Sequence, residues 1–141
     1  MKYITGIYAL NLTCTLDTQG DWHQSSLNWE MPDIRETKNS FFGDYGIEEN
    51  CSVPMRKGKA CKTANHIRAI LDLLEDRNFP VLQGMRDCYI DNDKYDKEIF
   101  EKIYKMKNLP YWREIKDFVG KEYMMKWVNF LKGKEYSHNG I

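Results

Sequence analysis

With 141 residues the chain has the length of one domain and can bury a core without disulfides or a metal as scaffolding, so a single domain over residues 1–141 is expected. Its 21 Lys and Arg balance 21 Asp and Glu, which leaves no net field toward phosphate backbones, anionic lipid or a basic partner and disfavours both nucleic-acid binding and DNA mimicry. Hydrophobic residues at 42% and aromatics at 13% exclude a disordered chain, and no apolar run approaches the roughly 18 residues of a membrane span.

The opening stretch, MKYITGIYALNL, is short and carries hydroxyls, Gly and Asn, unlike a signal peptide. Cys14, Cys51, Cys61 and Cys88 are therefore expected as reduced thiols in a cytoplasm. Residues 2–12 are rich in β-branched and aromatic types, which predicts a strand buried on both sides; Thr5, Gly6 and Tyr8 weigh against a first helix. Residues 14–20 read as a loop, with Asp17, Thr18 and Gly20 supplying turn chemistry. Residues 22–30 alternate His23, Ser25, Leu27 and Trp29 against Trp22, Gln24, Ser26 and Asn28, as a second strand would. After a solvated connection over 31–40, Gly43 and Gly46 around Asp44 and Tyr45 suggest a bend between two extended pieces. Residues 50–62 hold Pro54, Gly58 and several basic residues and suit a mobile loop.

From Thr63 the period becomes helical. Thr63 is placed to cap a helix whose stripe is Ala64, Ile67, Ile70, Leu71 and Leu74, leaving Arg68, Asp72, Glu75 and Asp76 outside. Residues 81–89 are a short helix begun by Pro80 or a strand. Asp93 is placed to cap a helix to about Asn108, Pro110 to open one that stops at Gly120, and residues 121–132 form the last. Strands first and helices after give an α+β fold: a small N-terminal sheet of three to four strands packed by a C-terminal set of about four helices.

The chemistry is concentrated in residues 13–29, TCTLDTQGDWHQSSLNW, where small polar groups interleave with large rings as in a surface cleft. In extended chain Asp21 and His23 point the same way, so the carboxylate can orient the imidazole for acid/base work, although a local brace is the commoner use of Asp-x-His. Asp17, Asp21, His23 and Asp44 are the candidate catalytic residues, and Trp22, His23, Ser25, Trp29 and Tyr45 the candidate binding residues. Cys14 near His23 suggests a thiolate nucleophile, with a partly buried inert thiol as the commoner case. His66, off the apolar stripe, reads as a boundary residue making one hydrogen bond.

The Cys spacing does not suit structural zinc, so no metal is expected. Asp91-Asn92-Asp93 begins like a calcium loop, but Asp96 stands where that loop needs Gly. No phosphate-binding, dinucleotide, serine-hydrolase or zincin motif is present, and no cofactor is expected. Arg56, Lys57, Lys59 and Lys62 form a local basic cluster able to meet phosphate or an acidic partner, although balanced charge favours a solvated loop. Tyr111, Trp112, Phe118, Tyr123 and Trp127 lie at helical spacing and read as core.

Three blocks, LDTQGDWHQSSLNW at 16–29, FGDYGIE at 42–48 and ANHIRAILDLL at 64–74, resemble a group of small bacterial proteins with no assigned activity. The resemblance carries no catalytic residues; by analogy it implies accessories of toxin-antitoxin, defence or mobile-element loci. The leading functional expectation is a non-enzymatic, regulatory module whose aromatic N-terminal face docks a protein partner. The alternative is a small enzyme acting on a nucleotide or other polar small molecule in a cleft lined by Asp17, Asp21, His23, Ser25 and Asp44.

Overall fold

The computed structural model describes residues 1–21, 26–56 and 58–138, the last three of these for their backbone only. The chain forms two compact units, Met1–Asn92 and Asp93–Ile141. The fold is α+β, with a four-stranded mixed sheet in the first unit.

Strand β1, Lys2–Ile4, is shorter than the pattern of residues 2–12 suggests. The chain leaves the sheet at Thr5 and turns at Gly6, whose φ of +64° suits glycine and whose hydrogens lie where a Cβ would meet an Asp33 carboxylate oxygen at 2.8 Å. The short helix α1, Gly6–Leu10, follows. The hydroxyl and aromatic side chains that read as β-formers are thus divided between a strand and a helix, with packing overriding propensity.

Strands β2, Ile34–Glu36, β3, Ile47–Asn50, and β4, Cys61–Ala64, complete the sheet in the order β2-β1-β4-β3. The β1–β4 pair is parallel and the outer pairs are antiparallel. The loop expected over 50–62 thus begins and ends in paired strand, and β4 occupies residues assigned from the sequence to a loop and a helix start. Residues 26–30 are not strand; 22–25, the other part of the strand expected there, lie outside the described residues, as does Lys57.

Helix α2, His66–Glu75, is the axis of the first unit. Its cap is Asn65, two residues beyond the expected Thr63, and the Asn65 side chain accepts a hydrogen bond from the Arg68 amide. Ile67, Ile70, Leu71 and Leu74 are buried as their spacing requires. Arg68 and Asp72 are buried too, at 0% exposure each, which corrects the expected solvent face. Arg68 Nε donates to Asp72 Oδ1 at 2.9 Å, and its Nη2 donates to the Tyr3 hydroxyl at 2.8 Å and to Ser40 Oγ at 2.6 Å. Nη1 donates to the Tyr45 carbonyl. Asp72 Oδ2 accepts from the Tyr3 hydroxyl at 2.8 Å and from Thr5 Oγ1 at 2.6 Å. A buried charge needs this many partners to offset desolvation. Burial first, then the Asp72 charge and its hydrogen bond, push the Tyr3 phenol up to about 12 against the opposing pull of Ser40 and Arg68.

Tyr3 and Thr5 therefore serve the α2 side of the sheet. Ile4 serves the other, in a cluster with Leu12 and Val53 that Tyr8, Trp29 and Cys61 flank. Helix α3, Phe79–Leu82, and a π-helical turn, Met85–Ile90, close the first unit; within the 81–89 stretch a turn at Gln83 and Gly84 separates two helical pieces, and none of it is strand.

In the second unit, helices α4, Asp96–Tyr104, α5, Trp112–Tyr123, and α6, Met125–His138, follow one another. Gly120 lies inside α5 rather than ending it, and the break falls at Met124, where φ is +53°. Phe100 meets Tyr123 and Trp127 at ring-centroid distances of 4.9 and 5.2 Å, and Trp127 Nε1 donates to the Lys116 carbonyl at 3.1 Å. Trp127 and Tyr123 are core, as their helical spacing suggests. Among the described residues no helix is long and apolar enough to cross a membrane. All four cysteines are free thiols.

Candidate thiol and imidazole site

The N-terminus of α2 is where residues distant in sequence meet. His66, its first residue, is 2% exposed. Its Nε2–H donates to the Leu12 carbonyl at 2.6 Å, which fixes the tautomer and turns Nδ1 toward the 13–18 loop. Nδ1 lies 2.6 Å from Thr18 Oγ1, and Thr18 Oγ1 lies 3.7 Å from Cys14 Sγ.

Cys14 is half-buried, and burial alone would raise its thiol pKa. Hydrogen bonding and charge from His66, with the backbone N–H groups of His66 and Leu16, outweigh burial and hold the thiol below its ordinary value. A helix N-terminus carries partial positive charge, so a sulfur held there by backbone amides is stabilised as the thiolate. Burial would likewise lower His66, but hydrogen bonding and charge from Cys14, the Leu12 carbonyl and the Glu48 carboxylate outweigh it and raise the imidazole. The two groups move toward each other, as a thiolate–imidazolium pair requires.

The loop that carries Cys14 is tied down from several sides. Glu48 on β3 accepts from the Thr15 amide at 3.0 Å and from its hydroxyl at 2.7 Å, and Asn50 Nδ2 donates to the Thr13 carbonyl at 2.9 Å. Asn92 Nδ2 donates to the Asp17 carbonyl at 2.9 Å. Beyond the loop, the Gly20 amide donates to the Tyr89 carbonyl and the Asp21 amide to the Leu10 carbonyl, both at 2.7 Å. Gly20 adopts a φ of +75°, and a Cβ there would stand 2.6 Å from the Leu10 carbonyl oxygen and 2.8 Å from His66 Cε1. Only glycine lets the chain pass so close to the imidazole. Gly46 does the same for the next turn of α2: its carbonyl accepts from the Asn65 amide at 2.7 Å, and a Cβ would stand 2.8 Å from Arg68 Cβ.

A cleft of about 250 Å³ opens here, lined by Leu10 to Cys14, Leu16, Thr18, Gln19 and His66. Leu10, Leu12 and Leu16 give it apolar walls, Asn11, Thr13 and Gln19 give it uncharged polar groups, and no Lys, Arg or carboxylate among the described residues lines it.

The residues expected to form a site fall in several places. Asp17 is exposed and its Oδ2 takes a second contact from Asn92 at 3.3 Å, while Asp44 is exposed and its carbonyl closes a turn to the Ile47 amide. Asp21 is buried at 4% exposure, and its backbone joins Leu10 beside the cleft. None of these three carboxylates lines the cleft. Trp29 packs edge-on to Tyr8 with ring centroids 5.1 Å apart, and Tyr45 reaches Arg68 through its carbonyl. Trp22, His23 and Ser25 lie outside the described residues. Cys14 and His66, read from the sequence as an inert thiol and a boundary residue, are the pair brought together; they stand 52 positions apart, and no local pattern links them.

Among the described residues no three His, Cys, Asp or Glu side chains gather as a metal site requires. No family model matches the chain, and no curated protein or solved structure matches it.

Proposed function

We propose that this protein is a small enzyme in which Cys14 is the nucleophile and His66 its acid/base partner, acting on a neutral polar acyl compound (an ester, thioester or amide) held in the cleft. The observation that supports this reading is the chain Leu12 carbonyl, His66 imidazole, Thr18 hydroxyl, Cys14 sulfur, with separations of 2.6, 2.6 and 3.7 Å, at a helix N-terminus. A nucleophile, a base and a group that orients the base recur in thiol and hydroxyl catalysis on unrelated folds.

The Cys14 thiolate attacks the carbonyl carbon, a C–S bond forms, and the bond to the leaving group breaks as His66 returns a proton to it. Water then attacks the thioester, His66 takes its proton, and the carboxylic acid leaves with the thiol restored. The uncharged lining suits a neutral acyl group; a nucleotide phosphate would call for Lys or Arg, and none of the described residues that line the cleft is one.

Alkylation by iodoacetamide, read by peptide mass spectrometry, tests the pair. Cys14 is expected to react at least tenfold faster than the exposed Cys51, with a pH midpoint below the ordinary thiol value of 9.0, and His66→Gln should slow it and move the midpoint up. With p-nitrophenyl acetate the protein should release a burst of nitrophenolate and carry the acetyl group on Cys14. A Cys14 no more reactive than Cys51, in a protein whose melting temperature is normal, overturns the proposal.

A further inference from the structure

A second cleft of about 150 Å³ lies against strands β2, β1 and β4. Ile4 and Ile34 give it an aliphatic floor with Cys61 and the buried Tyr3 beside them, and its charged lining residues are Lys2, Arg56 and Lys62, with no carboxylate among the described residues. We propose that this cleft docks a segment of a protein partner that alternates acidic and aliphatic residues. The inference is independent of the thiol chemistry, which lies at the N-terminus of α2.

Three observations converge on that occupant. The cations are available: Arg56 spends one N–H on the neutral Trp29 carbonyl at 3.1 Å, and Lys62 meets Glu49 at 2.9 Å in a pair that is 42% and 62% exposed. An exposed pair of that kind is worth little and exchanges readily. Glu36, across the ladder from Lys2, accepts from the Met1 amino group at 3.3 Å.

The floor is also unusually open for an aliphatic surface, since Ile34 is 49% exposed on an edge strand. Met55, next to Arg56, and Met31, near Ile34, are 68% and 76% exposed. Exposed, flexible thioethers are common at protein-docking surfaces.

The charge, finally, is local. The chain as a whole is neutral, so attraction for an acidic segment has to come from local groups of cations such as this rim, which Lys59 extends in sequence. The ring that lines the cleft, Tyr3, is 1% exposed and presents no open face on which a nucleobase can stack, which favours a peptide over single-stranded nucleic acid.

Fluorescence anisotropy with a labelled peptide of alternating Glu and Leu tests the surface, with polyglutamate, an alternating Lys and Leu peptide and an oligothymidylate as comparators. The Glu and Leu peptide is expected to bind best, to weaken as salt rises, and to lose at least tenfold in affinity in the Arg56→Glu/Lys62→Glu variant and in Ile34→Asp. Cys14→Ser should bind as wild type does, which keeps this test separate from that of the enzyme. Melting temperatures establish that the variants fold. Equal binding of polyglutamate or of the oligothymidylate, or binding by the Glu and Leu peptide that survives both substitutions, overturns the proposal, as does the absence of binding by any probe.

Discussion

Replacing Asp72 with Ala removes one carboxylate and strands several groups at once. Asp72 accepts Thr5 Oγ1 at 2.6 Å, the Tyr3 hydroxyl at 2.8 Å and Arg68 Nε at 2.9 Å, with Arg35 Nη1 at 3.7 Å. Without it the Arg68 guanidinium, 0% exposed, keeps only neutral acceptors: the Tyr3 hydroxyl, Ser40 Oγ and the Tyr45 carbonyl. Leaving one partner of a buried ion pair uncompensated costs about 3 to 5 kcal/mol. That is a large share of the roughly 5 to 15 kcal/mol that holds a small protein folded. Asp72→Asn keeps the shape and one acceptor oxygen and should cost less, about 1.5 to 3 kcal/mol, the worth of hydrogen bonds to a charged group. Urea denaturation measures both. In a double-mutant cycle with Arg68→Met, the joint loss should be smaller than the sum of the single losses, because each single change orphans what the other removes. A loss under about 1 kcal/mol for Asp72→Ala, the size expected of an exposed ion pair, would refute the buried network.

Leu71→Ala, at a side chain with no exposure, should cost about 2 to 5 kcal/mol in the same assay; a loss under 1 would mean α2 packs differently. Tyr3 carries a sign that can be worked out: its folded pKa, about 12, lies above the ordinary 10.0, so its contribution is fully present below pH 10 and is lost as pH rises through 12. Tyr3→Phe should therefore flatten the alkaline limb of stability between those values, and an unchanged limb in pH-dependent urea titrations would count against the burial of the phenol. Gly20→Ala should destabilise by about 1 to 3 kcal/mol through its positive φ and the clash with Leu10, and should slow Cys14 alkylation by displacing His66. Alkylation at the wild-type rate in that variant would show that the loop does not position the imidazole.

The sequence signals that proved legible were those of single elements. The 3.6-residue period of Ile67, Ile70, Leu71 and Leu74 identified α2, and the change from β-rich to helical composition identified the α+β class. Elements shorter than their own periodicity were not legible: β1 ends after three residues because Gly6 can turn where Thr5 bonds to Asp33, and that carbonyl is 28 positions away. Amphipathic logic misplaced Arg68 and Asp72 because it assigns charge to solvent, whereas Tyr3 and Thr5 at β1 and Ser40 and the Tyr45 carbonyl between β2 and β3 supply a buried partner set. His66 and Cys14 are legible as a pair only through the same long-range closure. Thr18 and Gly20, Gly46 and Glu48, and Asn65 and His66, from three separate stretches of the chain, meet at the N-terminus of α2.

The buried network and the thiol site are consequences of one helix. An α-helix turns by about 100° per residue, so a slip of one position would carry His66 away from both Thr18 and the Leu12 carbonyl. Apolar packing alone tolerates such rotation, because one branched aliphatic side chain replaces another at modest cost. Directional bonds do not: Arg68 and Asp72, one turn apart, are held by donors and acceptors on β1 and on two loops, and any rotation breaks several of them together. The network thus fixes the angle of α2 about its axis, and with it the direction of the imidazole. Asp72→Asn and Leu71→Ala, compared under conditions where both are folded, separate this from general loosening. If the network sets the angle, Asp72→Asn should depress Cys14 alkylation more than Leu71→Ala does, even where Leu71→Ala costs more stability.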